Sequence, residues 1–100
     1  MIGLSEINTK LIETDEQLAT ALTKLFPLEM TYTTEYNKKM LNSGMSNQTA
    51  REAEALEQIK LEPIYIEYHE AKLQVKILYS RKDVLVEISR NMRNLAFNQD

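Results

Sequence analysis

The sequence predicts an all-α protein folded as a long antiparallel helical hairpin with coiled-coil-like packing. Two segments repeat apolar side chains with the seven-residue period of a helical seam. Only two glycines and two prolines occur in 100 residues, and few stretches alternate as a strand would. The clearest turn signal, Asn42–Asn47, separates the two segments. We therefore expect a single domain over 1–100, with arms at about 3–42 and 47–96 and a turn at 43–46.

The two seams have compatible phases. The first contains Leu4, Ile7, Leu11, Thr14, Leu18, Ala21, Leu25, Leu28 and Tyr32. The second contains Leu61, Ile64, Tyr68, Ala71, Val75, Leu78, Lys82, Leu85, Ser89 and Met92. A reversal between Gly44 and Met45 would place Leu11 opposite Leu78 and Leu25 opposite Ile64. The turn and the seams therefore predict one alignment of the two arms.

The two prolines lie at almost the same level of this predicted pair. Pro27 and Pro63 each lack an amide hydrogen and strain the preceding helical turn, so we expect both arms to kink there. Alternatively, each proline opens a new helix. That alternative gives four helices, near residues 3–26, 28–42, 47–62 and 64–96.

Helix-end chemistry supports the predicted turn. Ser46 or Asn47 can accept a hydrogen bond from the first amides of the second arm. Gly44 is the predicted stop signal of the first arm. The sequence thus predicts where one arm ends and the next begins.

A second apolar stripe lies on the side of the second arm opposite its seam, at about 100° per residue. One partner arm can cover only one of these faces, so the sequence predicts association into a helical bundle. A two-fold homodimer with the second arms at its centre is the simplest form, although a higher oligomer would also cover the stripe. The predicted oligomer interface comprises Ile59, Ile66, Leu73, Ile77, Val84, Ile88, Met92 and Leu95. The alternative is a compact monomer in which the first arm folds back at Pro27.

Charge is distributed unevenly, although the chain is acidic overall, with a net charge of −3. Residues 71–95 are basic, and the preferred interpretation is that they face the acidic first arm. Binding of nucleic acid is the alternative. Its candidate contacts are Lys72, Lys76, Tyr79, Arg90 and Arg93.

The residues needed for common enzyme chemistry are scarce. No cysteine is present, which excludes a thiol nucleophile, a disulfide and a thiolate metal site. His69 is the only histidine, and Ile66 stands where a Glu-x-x-His metal motif needs glutamate. No apolar run approaches the roughly 18 residues that span a bilayer. We therefore predict no catalytic residue, metal, cofactor, small-molecule substrate or membrane segment.

The second half of the chain resembles short helical proteins encoded by phages and prophages of Gram-positive bacteria. The resemblance lies in the stretches Ala50–Ala55, Tyr65–Lys72 and Lys82–Arg93. It implies a small cytoplasmic accessory factor that acts by binding another protein, or single-stranded DNA together with one. It supplies no catalytic residues.

A second resemblance is to the secreted WXG100 helical hairpins, which share the chain length and the turn position. Their Trp-x-Gly turn would fall at Asn42–Gly44, where the glycine matches and the tryptophan is absent. Tyr79 and Asp83 match their Tyr-x-x-x-Asp signal, within a predicted helix. This resemblance would imply a secreted effector, and the missing tryptophan favours the cytoplasmic alternative.

Overall fold

The computed structural model describes residues 3–97, which form three α-helices and no strand. Helix α1 spans Leu4–Leu41, α2 spans Gln48–Ile59 and α3 spans Pro63–Phe97. Helices α1 and α3 pack against each other as a hairpin, which confirms the predicted fold class. No helix within 3–97 is both long and apolar enough to cross a membrane.

The chain divides into two compact units. The first unit combines α1 up to Leu22 with α3 from Gln74 onward. The second unit comprises Thr23–Leu73 and therefore contains α2 as well as parts of α1 and α3.

In the first unit, the buried side chains lie at the predicted seam positions. Ile7 is 1% exposed on α1 and Leu78 is 2% exposed on α3, and Leu18 and Leu85 are also buried. Thr14 is buried too, and its hydroxyl donates to the Lys10 carbonyl at 2.7 Å, so the polar group is satisfied within its own helix. The heptad period thus predicted the inward faces of both helices correctly.

In the second unit, α2 supplies the most deeply buried residues. Ala55 and Ile59 are fully buried, and Leu25 of α1 and Ala71 of α3 are nearly so. Tyr32 of α1 packs its ring against Tyr68 of α3, with the ring centroids 4.5 Å apart. A small residue on α2 and large rings on the longer helices fill this core together.

The alignment of the helices differs from the predicted one by about one heptad. Lys82 Nζ lies 2.8 Å from Asp15 Oδ1, whereas a reversal centred at Gly44 would place Lys82 opposite Ile7. Leu11 lines a groove with Val86 and Ser89, not with Leu78. A shift of seven residues is two helical turns, so each helix keeps the same inward face while its level changes.

A tight turn connects α2 to α3. The amides of Leu61 and Glu62 bond to the carbonyls of Gln58 and Ile59, three residues earlier, which forms a tight turn. Pro63 then opens α3, where a missing amide hydrogen costs no helical bond. The second arm is thus divided at Pro63, and the residues of the tight turn do not extend a single helix. Leu61 leaves the predicted seam and is 87% exposed.

Helix α1 continues through Pro27 as one helix. The proline is exposed, so water can reach the site of the missing helical hydrogen bond. The alternative in which the first arm folds back at Pro27 is therefore wrong.

Hydrogen bonds from two polar side chains shape the connection after α1. Ser43 Oγ accepts from the Met45 amide at 3.2 Å and donates to Glu54 at 2.7 Å. Asn47 Oδ1 accepts from the Ala50 amide at 2.8 Å, which confirms Asn47 as the cap of α2. Gly44 does not adopt a positive φ, and α1 already ends at Leu41. The predicted glycine stop is therefore replaced by backbone bonds from Asn42 and Ser43.

Candidate functional site

The outer face of α3 is an exposed row of large apolar side chains. We define it by Ile66, Leu73, Ile77, Val84, Ile88 and Leu95. These residues follow one another at intervals of seven and four, which keeps them on one side of a helix. Their exposed fractions run from 38% at Ile88 to 64% at Leu95.

The opposite side of α3 is buried against α1. Val75, Leu78 and Leu85 are each at most 9% exposed, and they lie on the seam that the sequence predicted. Helix α3 is therefore apolar on two opposite faces. Within the described residues, only one of these faces is covered.

Two residues of the predicted oligomer interface do not belong to this row. Ile59 is fully buried within the second unit, so its assignment to an exposed interface is wrong. The angle that placed it there assumed one continuous second arm, and the turn before Pro63 breaks that phase. Met92 is half-buried.

The basic residues of α3 have different surroundings. Lys82 pairs with Asp15, as expected for a basic segment beside an acidic arm, and Arg81 Nη1 lies 3.5 Å from Gln17 Oε1. Hydrogen bonding to the Asp15 carboxylate, together with its negative charge, raises the pKa of Lys82. These two residues therefore face α1.

The five candidate nucleic-acid contacts are only partly free for that role. Lys72 Nζ lies 5.7 Å from the centre of the Tyr68 ring, and Arg90 is 3.5 Å from Glu87. Tyr79 is 47% exposed. Within residues 3–97, neither Lys76 nor Arg93 has a carboxylate within 4.0 Å.

Arg90 and Arg93 come together at the edge of a shallow groove in the first unit. The groove has a volume of about 300 Å³. Leu11, Val86, Ser89 and Asn94 complete its lining. The structure thus brings together two of the five candidate contacts.

An aromatic cluster in the second unit was missed by the sequence reasoning. Tyr32 lies at its centre, with Tyr36 stacked at 6.3 Å and Tyr65 at 6.4 Å. His69 is exposed, and its ring centroid lies 4.4 Å from that of Tyr65 and 5.1 Å from that of Tyr68. The signal that could have found the cluster is the Tyr65, Tyr68 and His69 spacing on one helical side, combined with the correct alignment to α1.

Burial raises the pKa of Tyr32 above the ordinary tyrosine value of 10.0, and the neighbouring tyrosines add to this effect. Lys60 acts in the opposite direction. The cluster therefore favours the neutral phenol of Tyr32.

The described residues contain no group of three or more acidic or histidine side chains placed to hold a metal ion. They do form the exposed apolar row on the outer face of α3. Comparisons of the chain with protein-family models, with characterised protein sequences and with solved structures find no match.

Proposed function

We propose that this protein is a non-enzymatic helical interaction module that self-associates through the outer face of α3. The observation that carries the proposal is the row of six apolar side chains on that face, each at least 38% exposed. Contiguous apolar surface of this kind on a small protein marks a site of interaction. A helix that is apolar on two opposite sides is stable in water when both sides are covered.

Association through this face would remove apolar surface from water, which stabilises the assembled state. Each apolar side chain that becomes fully buried contributes about 1.5–3 kcal/mol. Ile77 and Val84 lie near the middle of the row and are 45% and 58% exposed, so each retains much of that potential gain. Pairing two copies through this face would form a four-helix bundle with the α3 helices at its centre.

The biological role in this proposal is that of an accessory factor that binds another protein. The resemblance to small helical proteins of phages and prophages supports this part, and it supports a cytoplasmic location. In an assembled bundle the partner would contact the exposed sides of α1, where Phe26 is 56% exposed and Met30 is 73% exposed.

The test is the absolute mass in solution, measured by light scattering over a range of protein concentrations. Wild-type protein should be a dimer or a larger species, and Ile77→Glu should dissociate it because a charge would be buried in the interface. The matched control is Ile12→Glu, which places the same change at an exposed isoleucine of α1 and should leave the mass unchanged. A monomeric wild type, or an Ile77→Glu variant that keeps the wild-type mass, would refute self-association through this face.

A second candidate function is binding of nucleic acid by the basic residues of α3. The observation that favours it is that Lys76 and Arg93 lack carboxylate partners in the described part of the chain, while Tyr79 is exposed for stacking. Binding to a single-stranded oligonucleotide should then weaken as salt rises. It should also fall in a Lys76→Gln, Arg93→Gln variant, whereas a Lys10→Gln, Lys24→Gln variant on α1 serves as the charge-matched control.

A further inference from the structure

The six apolar residues on the outer face of α3 have the same spacing when they are counted from either end of the helix. Its six residues are separated by intervals of seven, four, seven, four and seven. The centre of this pattern lies between Ser80 and Arg81. Each residue of the face thus has a counterpart at the same distance on the other side of that centre. A surface with this symmetry can pair with an identical surface when the two helices run in opposite directions.

We infer that the occupant of the outer face is a second copy of this chain whose α3 runs antiparallel, with a two-fold axis between Ser80 and Arg81; this inference rests on the proposed self-association. In this arrangement Ile77 lies opposite Val84 of the second copy. The next layers pair Leu73 with Ile88 and then Ile66 with Leu95. All six exposed apolar side chains are therefore buried against another apolar side chain.

The polar residues between the apolar layers also match. Glu70 and Asn91 are both exposed and lie on the same side of α3 as the apolar row. They are equally distant from the proposed axis, so the Glu70 carboxylate can accept from the Asn91 amide of the second copy. Within residues 3–97, neither side chain has a hydrogen-bond partner. The pairing would satisfy groups that the interface would otherwise leave without water.

Along one edge of the face, the charged side chains are placed so that two antiparallel copies would bring opposite charges together. Lys76 and Glu87 lie on the same edge, one on each side of the proposed axis, and both are exposed. The antiparallel arrangement brings Lys76 close to Glu87 of the second copy, and the symmetry repeats the pair. Lys76 has no carboxylate within 4.0 Å among the described residues, and Glu87 is engaged only at 3.5 Å with Arg90, three residues away on α3.

Two Arg81 side chains would lie near the axis. In the first unit, Arg81 Nη1 already approaches Gln17 Oε1 of α1 at 3.5 Å. This contact directs each guanidinium toward its own α1 and away from the other copy. A parallel pair would be less favourable because it would place Lys76 against Lys76 and Glu70 against Glu70.

Disulfide cross-linking tests the proposed direction and register. The chain has no cysteine, so each introduced thiol reports a single position. Ser80→Cys lies beside the proposed axis and should form a disulfide with its own copy, because a bridge needs Cα atoms within about 7 Å. Asn91→Cys alone should not cross-link, since 21 residues of helix, about 30 Å, would separate its level from that of its copy. A mixture of Glu70→Cys and Asn91→Cys chains should give the mixed disulfide.

Light scattering on the same variants in reducing buffer separates the two proposals. A dimer that gives the Ser80 self-link and the Glu70–Asn91 mixed link, without an Asn91 self-link, supports the antiparallel arrangement. A dimer in which Asn91→Cys self-links, or in which the mixed disulfide is absent, refutes that arrangement and leaves self-association standing. A monomeric wild type refutes both proposals.

Charge reversal provides a second test that does not depend on oxidation. Lys76→Glu should raise the dimer Kd by about 3- to 10-fold, as expected for losing two symmetric exposed ion pairs. The double variant Lys76→Glu, Glu87→Lys should restore the wild-type Kd because the pair is rebuilt with reversed signs. If the double variant is no tighter than Lys76→Glu alone, these residues do not face each other across the axis and the proposed register is wrong.

Discussion

Lys82 Nζ lies 2.8 Å from Asp15 Oδ1, and this ion pair joins α3 to α1 in the first unit. The two side chains are 37% and 54% exposed, so the pair shows the alignment of the helices without contributing much to their stability. The buried side chains on either side of it, among them Ile7 and Leu78, must therefore hold the helices in this alignment.

A double-mutant cycle should confirm this alignment. The Asp15–Lys82 pair places Leu18 within about one residue of the level of Leu78, and both leucines are buried. Changing either to alanine should cost about 2–5 kcal/mol of unfolding free energy. The cost of the double variant should differ from the sum by at least about 0.5 kcal/mol, because the two changes share one cavity.

The control cycle pairs Leu11→Ala with Leu78→Ala, which a reversal centred at Gly44 would place in contact. In the observed register these positions are about 10 Å apart along the helices, so their effects should add within about 0.5 kcal/mol. Urea unfolding at one fixed protein concentration measures both cycles. Coupling between Leu11 and Leu78, without coupling between Leu18 and Leu78, would contradict the observed alignment.

The α2–α3 connection makes a prediction about two neighbouring apolar residues. Ile59 is fully buried, whereas Leu61 is 87% exposed only two residues later. Ile59→Ala should lower the free energy of unfolding by about 2–5 kcal/mol. Leu61→Ala should change it by no more than about 0.5 kcal/mol. Similar losses in the two variants would show that the second arm continues as one helix through this point.

The sequence predicted helix faces well because a heptad period fixes which side of a helix is apolar. Thr14 and Ser89 illustrate this, since both are buried at seam positions despite their hydroxyls. The lengthwise position of α3 relative to α1 was not predictable in the same way. A slide of seven residues leaves the same side of each helix facing the other. The tight turn at Leu61 and Glu62 before Pro63, which divides the second arm, was not predicted either.

The sequence also predicted most residues of the candidate site, which is the exposed apolar face of α3. Ile66, Leu73, Ile77, Val84, Ile88 and Leu95 are exposed on one side of α3, as their spacing indicated. Ile59 was misplaced because its helical phase was counted across the break. The contacts of Tyr32 with Tyr65, Tyr68 and His69 required the correct alignment of α1 with α3, which the turn signal alone did not provide.

The aromatic cluster predicts how stability changes at alkaline pH. Burial and neighbouring tyrosines raise the pKa of Tyr32 above 10.0 in the folded protein. A group with a raised folded-state pKa contributes stability that is complete below its unfolded pKa and is lost as pH rises through its folded pKa. Tyr32→Phe keeps the packed ring and removes this ionisation, so the variant should lose less stability than wild type as pH rises above about 10.

Thermal unfolding at a series of pH values measures this difference. Tyr79→Phe, which removes a hydroxyl from an exposed ring outside the cluster, is the matched control. If the melting temperature of Tyr32→Phe fell as steeply with pH as that of wild type, deprotonation of the Tyr32 phenol would not oppose folding.

The cap of α2 provides a further prediction. Asn47 Oδ1 accepts from the Ala50 amide at 2.8 Å, and this amide has no partner inside the helix. Asn47→Ala should therefore lower the free energy of unfolding by about 1 kcal/mol. Asn47→Asp should be close to wild type, because it retains an acceptor and adds a negative charge at a helix N-terminus.

Ser46→Ala is the control because the contact at that residue uses its backbone carbonyl, which accepts from Arg51 at 3.3 Å. Chemical unfolding at one protein concentration ranks the variants. Equal losses in Asn47→Ala and Ser46→Ala would mean that α2 begins without this cap, and rescue by Asn47→Asp would tie the loss to the missing acceptor.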